Sequence, residues 1–117
     1  MGWALVLGLL VCGCATTPPK APVAGHFTWG HEVRVFRPCS SSLVYWVAGP
    51  DTAMALLRMR HQALATQPYD SVYVRLSGKV GDVPPELADG FPGAYDGLYR
   101  LTSVHEVRLA EDSDCRH

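Results

Sequence analysis

"GHFTWGHEVRVFRPC", residues 25–39, decides the fold because its side chains alternate in character. One face of the alternation carries Phe27, Trp29, His31, Val33 and Val35, and the opposite face carries Thr28, Glu32 and Arg34. A period of two residues indicates a half-buried β-strand. Gly30 is a residue at which such a strand can bend or bulge, and Pro38 ends it because proline cannot donate to a neighbouring strand. We therefore predict one long, bent strand over residues 25–37.

The residues that follow add further strand patterns and one helix pattern. Strand patterns occupy residues 43–47, 71–80 and 98–109. Near Thr102 and Ser103 the alternation of the last pattern slips, so that a bulge or a division into two short strands is expected there. Residues 52–66 have apolar side chains at helical spacing, with Asp51 as the expected N-cap. Residues 81–97 are rich in Gly, Pro and Asp and are predicted to be a long loop.

Together these elements predict a domain over residues 25–117 that is mainly β with one helix. A short chain with long, glycine-bent strands favours a small OB-like barrel, expected here as a partly open antiparallel one. The formal net charge of −1 argues against nucleic-acid binding, which needs a basic face. The acidic residues near the end of the chain are expected to form a solvated tail.

The first residues of the chain indicate a secretory signal. Residues 5–11 are apolar but shorter than the about 20 residues that a membrane-spanning helix needs. Val11-Cys12-Gly13-Cys14 resembles the lipobox of bacterial lipoproteins, and Cys14 fits the lipidated position because a small residue precedes it. We therefore expect residues 1–13 to be a signal peptide and residues 14–24 to be a lipidated cysteine with a Pro-rich linker.

This layout leaves two alternatives, a buried apolar helix or a cleaved signal without lipid. If Cys14 is lipidated, Ala15 in place of Asp implies sorting to the outer membrane, with the domain facing the periplasm. Cys39 and Cys115 then remain as an even pair in an oxidising compartment, and a disulfide between them is expected. The alternative is that Cys39 is a reactive thiol or a copper ligand.

Three stretches of the chain resemble the C-terminal OB domain of NlpE-type envelope lipoproteins. They are GHFTWGHEVRVFRPC, YWVAG and PYDSVYVRLSGKV, and the matching residues are Gly25, Phe27, Phe36, Cys39, Val72, Val74 and Gly78. The resemblance implies the same fold, a periplasmic setting and an envelope partner. The chain lacks the N-terminal lipocalin-like barrel and the Cys-x-x-Cys of that family, so copper handling does not carry over.

His-Glu-Val-Arg occurs twice, at residues 31–34 and 105–108. A metal site is one interpretation, but neighbours on a strand point to opposite faces and cannot easily chelate together. The other interpretation is two paired strands with complementary charges, Glu32 near Arg108 and Glu106 near Arg34. We expect the second arrangement, without a metal or another cofactor.

Aromatic side chains are the remaining candidates for a binding surface. The surface residues predicted to contact a ligand or partner are Tyr73, Arg75, Lys79, Trp29 and Tyr99. Most aromatic rings in a small domain fill the core instead, so this interpretation competes with burial. Ser40–Ser42 lie in no Gly-x-Ser-x-Gly setting, and no catalytic residue is expected.

The sequence thus predicts a lipoprotein anchored in the outer membrane, whose non-enzymatic domain binds a protein or another envelope component. The alternative from another class is a copper- or zinc-binding factor for envelope stress or resistance, in which the histidines would be ligands. The second hypothesis requires His31 and His105 to bind the metal ion, and the first does not.

Overall fold

The computed structural model of the protein describes Gly2, Gly8 and residues 21–116. The predicted lipidation site Cys14 lies outside the described residues. The strands are β1 (Val23–Gly30), β2 (Val33–Pro38), β3 (Tyr45–Ala48), β4 (Ser71–Gly81) and β5 (Gly97–Leu109), and the helix is α1 (Asp51–Leu64). Among these residues no helix has the length and apolar character that crossing a membrane requires.

The five strands form a closed barrel in the order β1-β2-β3-β5-β4. The prediction of a small, mainly β, OB-like barrel with one helix is confirmed. The barrel is closed rather than partly open because β1 pairs with both β2 and β4. One pair, β3 with β5, is parallel, so the sheet is not wholly antiparallel.

The predicted single strand over residues 25–37 is wrong, because it folds back on itself as a hairpin. His31 and Glu32 form the turn between β1 and β2, and Glu32 has a positive φ of 59°. Phe27 lies opposite Phe36, and Gly30 lies opposite Val33. This register pairs odd-numbered residues of β1 with even-numbered residues of β2, so Phe36 points inward and Val35 does not.

The core of the barrel is built from large side chains that the strands and α1 direct inward. Fully buried members are Phe27, Phe36, Val47, Leu57, Val72, Val74, Leu76, Tyr99 and Leu101. The Phe36 and Tyr99 rings meet edge to face with centroids 5.0 Å apart, an arrangement favoured by their quadrupoles. A Cβ at Gly25 would lie 2.6 Å from Cε2 of Phe36, so only glycine leaves room for this ring.

The helix α1 presents the predicted apolar stripe, and Met54, Leu57 and His61 are buried. The prediction of Asp51 as N-cap is wrong. Pro50 occupies that position without a side-chain cap, and Asp51 is the first helical residue. There its negative charge still favours the helix dipole.

The strands β4 and β5 match their predicted extents, and the expected bulge is present. The register between them shifts at Ser77/Gly78, opposite Leu101–Ser103, and again at Arg75/Leu76. The loop before β5 contains the short 3₁₀ helices Pro85–Leu87 and Phe91–Ala94. Its end is attached to β3 because the Val44 N–H donates to Asp96 Oδ2 at 2.8 Å and the Asp96 N–H donates to the Val44 carbonyl at 2.9 Å.

Cys39 and Cys115 form a disulfide across a sequence separation of 76 residues, as expected. The bond joins Cys115, near the end of the chain, to Cys39, the residue that follows β2. The predicted solvated tail is wrong for Asp114, whose side chain is 2% exposed. The Arg108 guanidinium donates to both oxygens of Asp114, and the Glu111 N–H donates to Oδ2 at 2.7 Å.

Acid is expected to weaken this attachment. Hydrogen bonds from Arg108 and from the Glu111 N–H hold the pKa of Asp114 below its ordinary value. The carboxylate therefore contributes stability above about pH 4, and this contribution is lost as the pH falls through the lower pKa of the folded state. Urea unfolding followed between about pH 2 and pH 5 should show a shallower pH dependence in Asp114→Asn than in the wild type. Equal slopes in the two proteins would contradict the assignment.

Asp70 is a second carboxylate with a lowered pKa, and its substitution extends that experiment. Hydrogen bonds from the Thr66 hydroxyl, the Gln67 N–H and the Thr66 N–H lower its pKa in the same direction. The residual pH dependence of Asp114→Asn should therefore decrease further in the double variant with Asp70→Asn.

Candidate functional site

A cavity of about 610 Å³ opens between the β1–β2 turn and the C-terminal part of α1. We call it the hairpin cavity. Its lining comprises residues 29–32 of the hairpin, Arg58, His61 and Gln62 of α1, and residues 65–68 of the segment that leads to β4. The hairpin contributes to it because the turn at His31 and Glu32 carries the ends of β1 and β2 over the helix.

Trp29 is the aromatic side chain of the cavity wall, and two arginines lie beside its ring. The guanidinium carbon of Arg34 is 5.4 Å from the Trp29 ring centroid, and that of Arg58 is 5.9 Å from it. Arg34 is also 5.4 Å from the Trp46 ring. Guanidinium groups at such distances are attracted by the electron-rich face of an indole.

The two arginines belong to the exposed basic residues that make no ion pair within residues 21–116. Within residues 21–116, neither Arg34 nor Arg58 has a carboxylate within 4.0 Å, and neither guanidinium has a protein hydrogen-bond acceptor. Arg75 and Arg108, by contrast, are paired with Glu106. Arg58 thus contributes an unpaired positive charge to the cavity lining, and Arg34 contributes one beside it.

The mouth of the cavity is held by unusual backbone geometry. Tyr69, which lies against the turn of the hairpin, has a positive φ of 71°, and Glu32 has one of 59°. The Tyr69 hydroxyl donates to the His31 carbonyl at 3.1 Å, and its N–H donates to the Trp29 carbonyl at 3.2 Å. Gly30 packs directly on the Tyr69 ring, where a side chain would overlap it. Non-glycine residues in this conformation cost on the order of 1–3 kcal/mol and cluster at functional sites.

His61 forms the buried floor of the cavity, although the sequence placed it only on the helix stripe. Its Nε2 donates to the Asp70 carbonyl at 2.7 Å, which assigns the proton on that nitrogen because a carbonyl can only accept. Its ring meets Phe27 edge to face, with centroids 5.9 Å apart. These contacts fix the position of α1 relative to β1 and β4.

The five residues predicted as a contact surface do not form one surface. Trp29 lies in the hairpin cavity. Tyr99 is 2% exposed and fills the core, so its prediction as a surface contact is wrong; its side chain points inward in the alternation of β5. Burial raises the pKa of its hydroxyl, which donates to the Leu76 carbonyl at 3.4 Å.

The other three predicted surface residues lie on the outer face of β4. Tyr73 is half-buried because the Arg108 guanidinium covers its ring at 3.8 Å. Arg75 is exposed but paired with Glu106 at 3.5 Å. Lys79 is exposed near Ser77 and borders a second cavity on the β4–β5 side of the barrel. The outer face of β4 is therefore partly occupied by contacts within the protein.

The predicted charge pairs between the two His-Glu-Val-Arg motifs are wrong. Glu32 lies 3.5 Å from His31, and Glu106 pairs with Arg75 and Arg108. The reason is the strand order, in which β5 is hydrogen-bonded to β3 and β4 and not to the hairpin strands.

The histidines of the two motifs have separate surroundings. The His31 side chain is 85% exposed in the turn, whereas His105 Nε2 lies 2.6 Å from the Ser77 hydroxyl and 3.1 Å from that of Ser103. Among residues 21–116, no three His, Cys, Asp or Glu side chains are grouped to hold a metal ion.

Comparisons with protein-family models, with curated proteins and with solved structures give no match to this chain. The fold assignment is carried by the strand order and by the helix between β3 and β4.

Proposed function

We propose that this protein is a non-enzymatic binding module, anchored by a lipid on Cys14 to the outer membrane and facing the periplasm. The observation that carries the proposal is the Cys39–Cys115 disulfide. Structural disulfides persist in oxidising compartments, so the bond supports export of the domain. It also takes up the two later cysteines and leaves Cys14, in its lipobox-like setting, as the residue for acylation.

The hairpin cavity supports the binding role. Its volume of about 610 Å³ lies within the range of about 300–1,000 Å³ that is typical of small-molecule sites. The Trp29 ring, buried His61 and the unpaired guanidinium of Arg58 give it the mixed apolar and polar lining of such sites. The resemblance to NlpE-type lipoproteins adds the expectation of an envelope partner.

Lipid labelling tests the anchor. Full-length protein produced in a Gram-negative host with labelled palmitate should carry the label and fractionate with the outer membrane. Cys14→Ser should lose the label, whereas Cys12→Ser, the matched control two residues earlier, should keep it. Two acyl chains or more are needed for stable anchoring, so the unlabelled variant should also leave the membrane fraction. An unlabelled wild type, or a labelled Cys14→Ser variant, would overturn the proposal.

A further inference from the structure

We infer that the hairpin cavity binds a small anionic ligand in which a carboxylate or phosphate group is attached to a flat ring. The inference rests on the proposed function only in taking the protein to be a binding module. It adds the chemical class of the ligand. It does not depend on the lipid anchor.

The charge of the ligand follows from the two arginines. Arg58 lines the cavity beside the Trp29 ring, and Arg34, which lies outside the lining, is 5.4 Å from the centroid of the same indole ring. Neither guanidinium has a carboxylate partner among the described residues. The planar guanidinium donates several hydrogen bonds in a geometry that matches carboxylate and phosphate oxygens. An oxyanion is therefore the group that these side chains are suited to bind.

The inference that the ligand has a flat ring follows from the aromatic side chain in the cavity wall. Trp29 lines the cavity, and the indole packs on Phe27 of the core in a tilted arrangement, with centroids 5.8 Å apart. This packing holds the ring in place before a ligand arrives, so little side-chain entropy is lost when a second ring stacks beside it. The positive-φ residues Glu32 and Tyr69 hold the cavity mouth in the same way.

Glu32 provides a further test of the inferred ligand charge, because it is the acidic side chain in the cavity lining. Its carboxylate lies 3.5 Å from His31 Nε2 and is half exposed at the rim. An anionic ligand is repelled by this charge, and a cationic ligand is attracted by it. Neutralising Glu32 should therefore strengthen the binding of an anion.

Calorimetric titration tests the inference with three probes that share one ring. Full-length protein in uncharged detergent micelles is titrated with 2-naphthoate, 2-naphthyl phosphate and the neutral 2-naphthamide. At least one anion should bind about tenfold more tightly than the amide, since a hydrogen bond to a charged group contributes about that factor. The tighter of the two anions identifies the carboxylate or the phosphate as the natural group. Raising the salt concentration should weaken the binding of the anion and leave that of the amide unchanged.

Variants connect the binding to the cavity. Arg58→Gln should lose about tenfold in affinity for the preferred anion. Arg60→Gln is the matched control because it removes the same charge from α1 at a position outside the cavity lining. Glu32→Gln should bind the anion more tightly than the wild type. Circular dichroism of each variant confirms that the barrel is folded.

Equal affinities for the anions and the amide, no binding of any probe, or equal losses in Arg58→Gln and Arg60→Gln would overturn the inference. These outcomes are separate from those of the labelling experiment. A protein that selects anions but carries no lipid would overturn the anchor alone, and a lipidated protein that does not bind anions would overturn the ligand class alone.

Discussion

Replacing Cys39 and Cys115 together with serine is expected to lower the free energy of unfolding by about 4 kcal/mol. The disulfide closes a loop with a sequence separation of 76 residues, which covers most of the barrel. Cross-linking so long a loop removes many conformations from the unfolded chain, and the chain-entropy model assigns the stabilisation to this effect. Small domains have a total stability of about 5–15 kcal/mol, so the variant should be close to its unfolding threshold.

Urea unfolding followed by circular dichroism measures this loss. A reducing agent should destabilise the wild type by a similar amount and leave the double-serine variant unchanged, which makes the variant its own control. The C-terminal segment should also become susceptible to proteolysis, because the bond to Cys39 holds residues 110–116 near β2. A loss below about 1 kcal/mol would show that the contacts of Asp114 hold the segment without the covalent bond.

Replacing Phe36 with alanine is expected to cost about 3–5 kcal/mol, as large truncations of buried aromatic residues do. Phe36 is fully buried, packs against Tyr99 and lies over Gly25, so its removal leaves a cavity between three strands. Val35→Ala is the matched control, since Val35 is adjacent in sequence but only half-buried on the opposite face. Its expected cost is about 1 kcal/mol.

The comparison of these two variants also tests the hairpin. In a single strand over residues 25–37, Val35 would share the face of Phe27 and Phe36 would point away. In the hairpin the two residues exchange faces. Chemical denaturation of both variants therefore distinguishes the two arrangements, and a larger loss in Val35→Ala than in Phe36→Ala would contradict the observed register.

The parts of the fold that could be predicted are those that local patterns specify. The alternation over residues 71–80 and the helical spacing of Met54, Leu57 and His61 depend only on neighbouring residues and on burial of one face. The hairpin could not be predicted in the same way, because His31-Glu32 lacks the Asn-Gly or Asp-Gly signature of a two-residue turn. Alternation continues through the turn in the sequence, although the chain reverses direction there.

The candidate site was predictable in part. Trp29 stood out as an aromatic residue, but Arg34 was assigned to a charge pair with Glu106, and nothing in the sequence singled out Arg58. Arg58 lies on α1, and only the packing of the helix across the end of the barrel brings its guanidinium to within 5.9 Å of the Trp29 ring centroid. Tyr99 was misassigned because alternation within β5 does not tell which face meets the interior.

Closure of the barrel restricts how another protein can recognise this one. Each strand already has hydrogen-bonded neighbours on both sides in the cyclic order of residues 23–109. An incoming peptide therefore finds an edge to extend where one strand runs past its neighbour, as β5 does after Arg100 on its β3 side and β4 does after Leu76 on its β1 side. Over the rest of the barrel, recognition must come from side chains and turns.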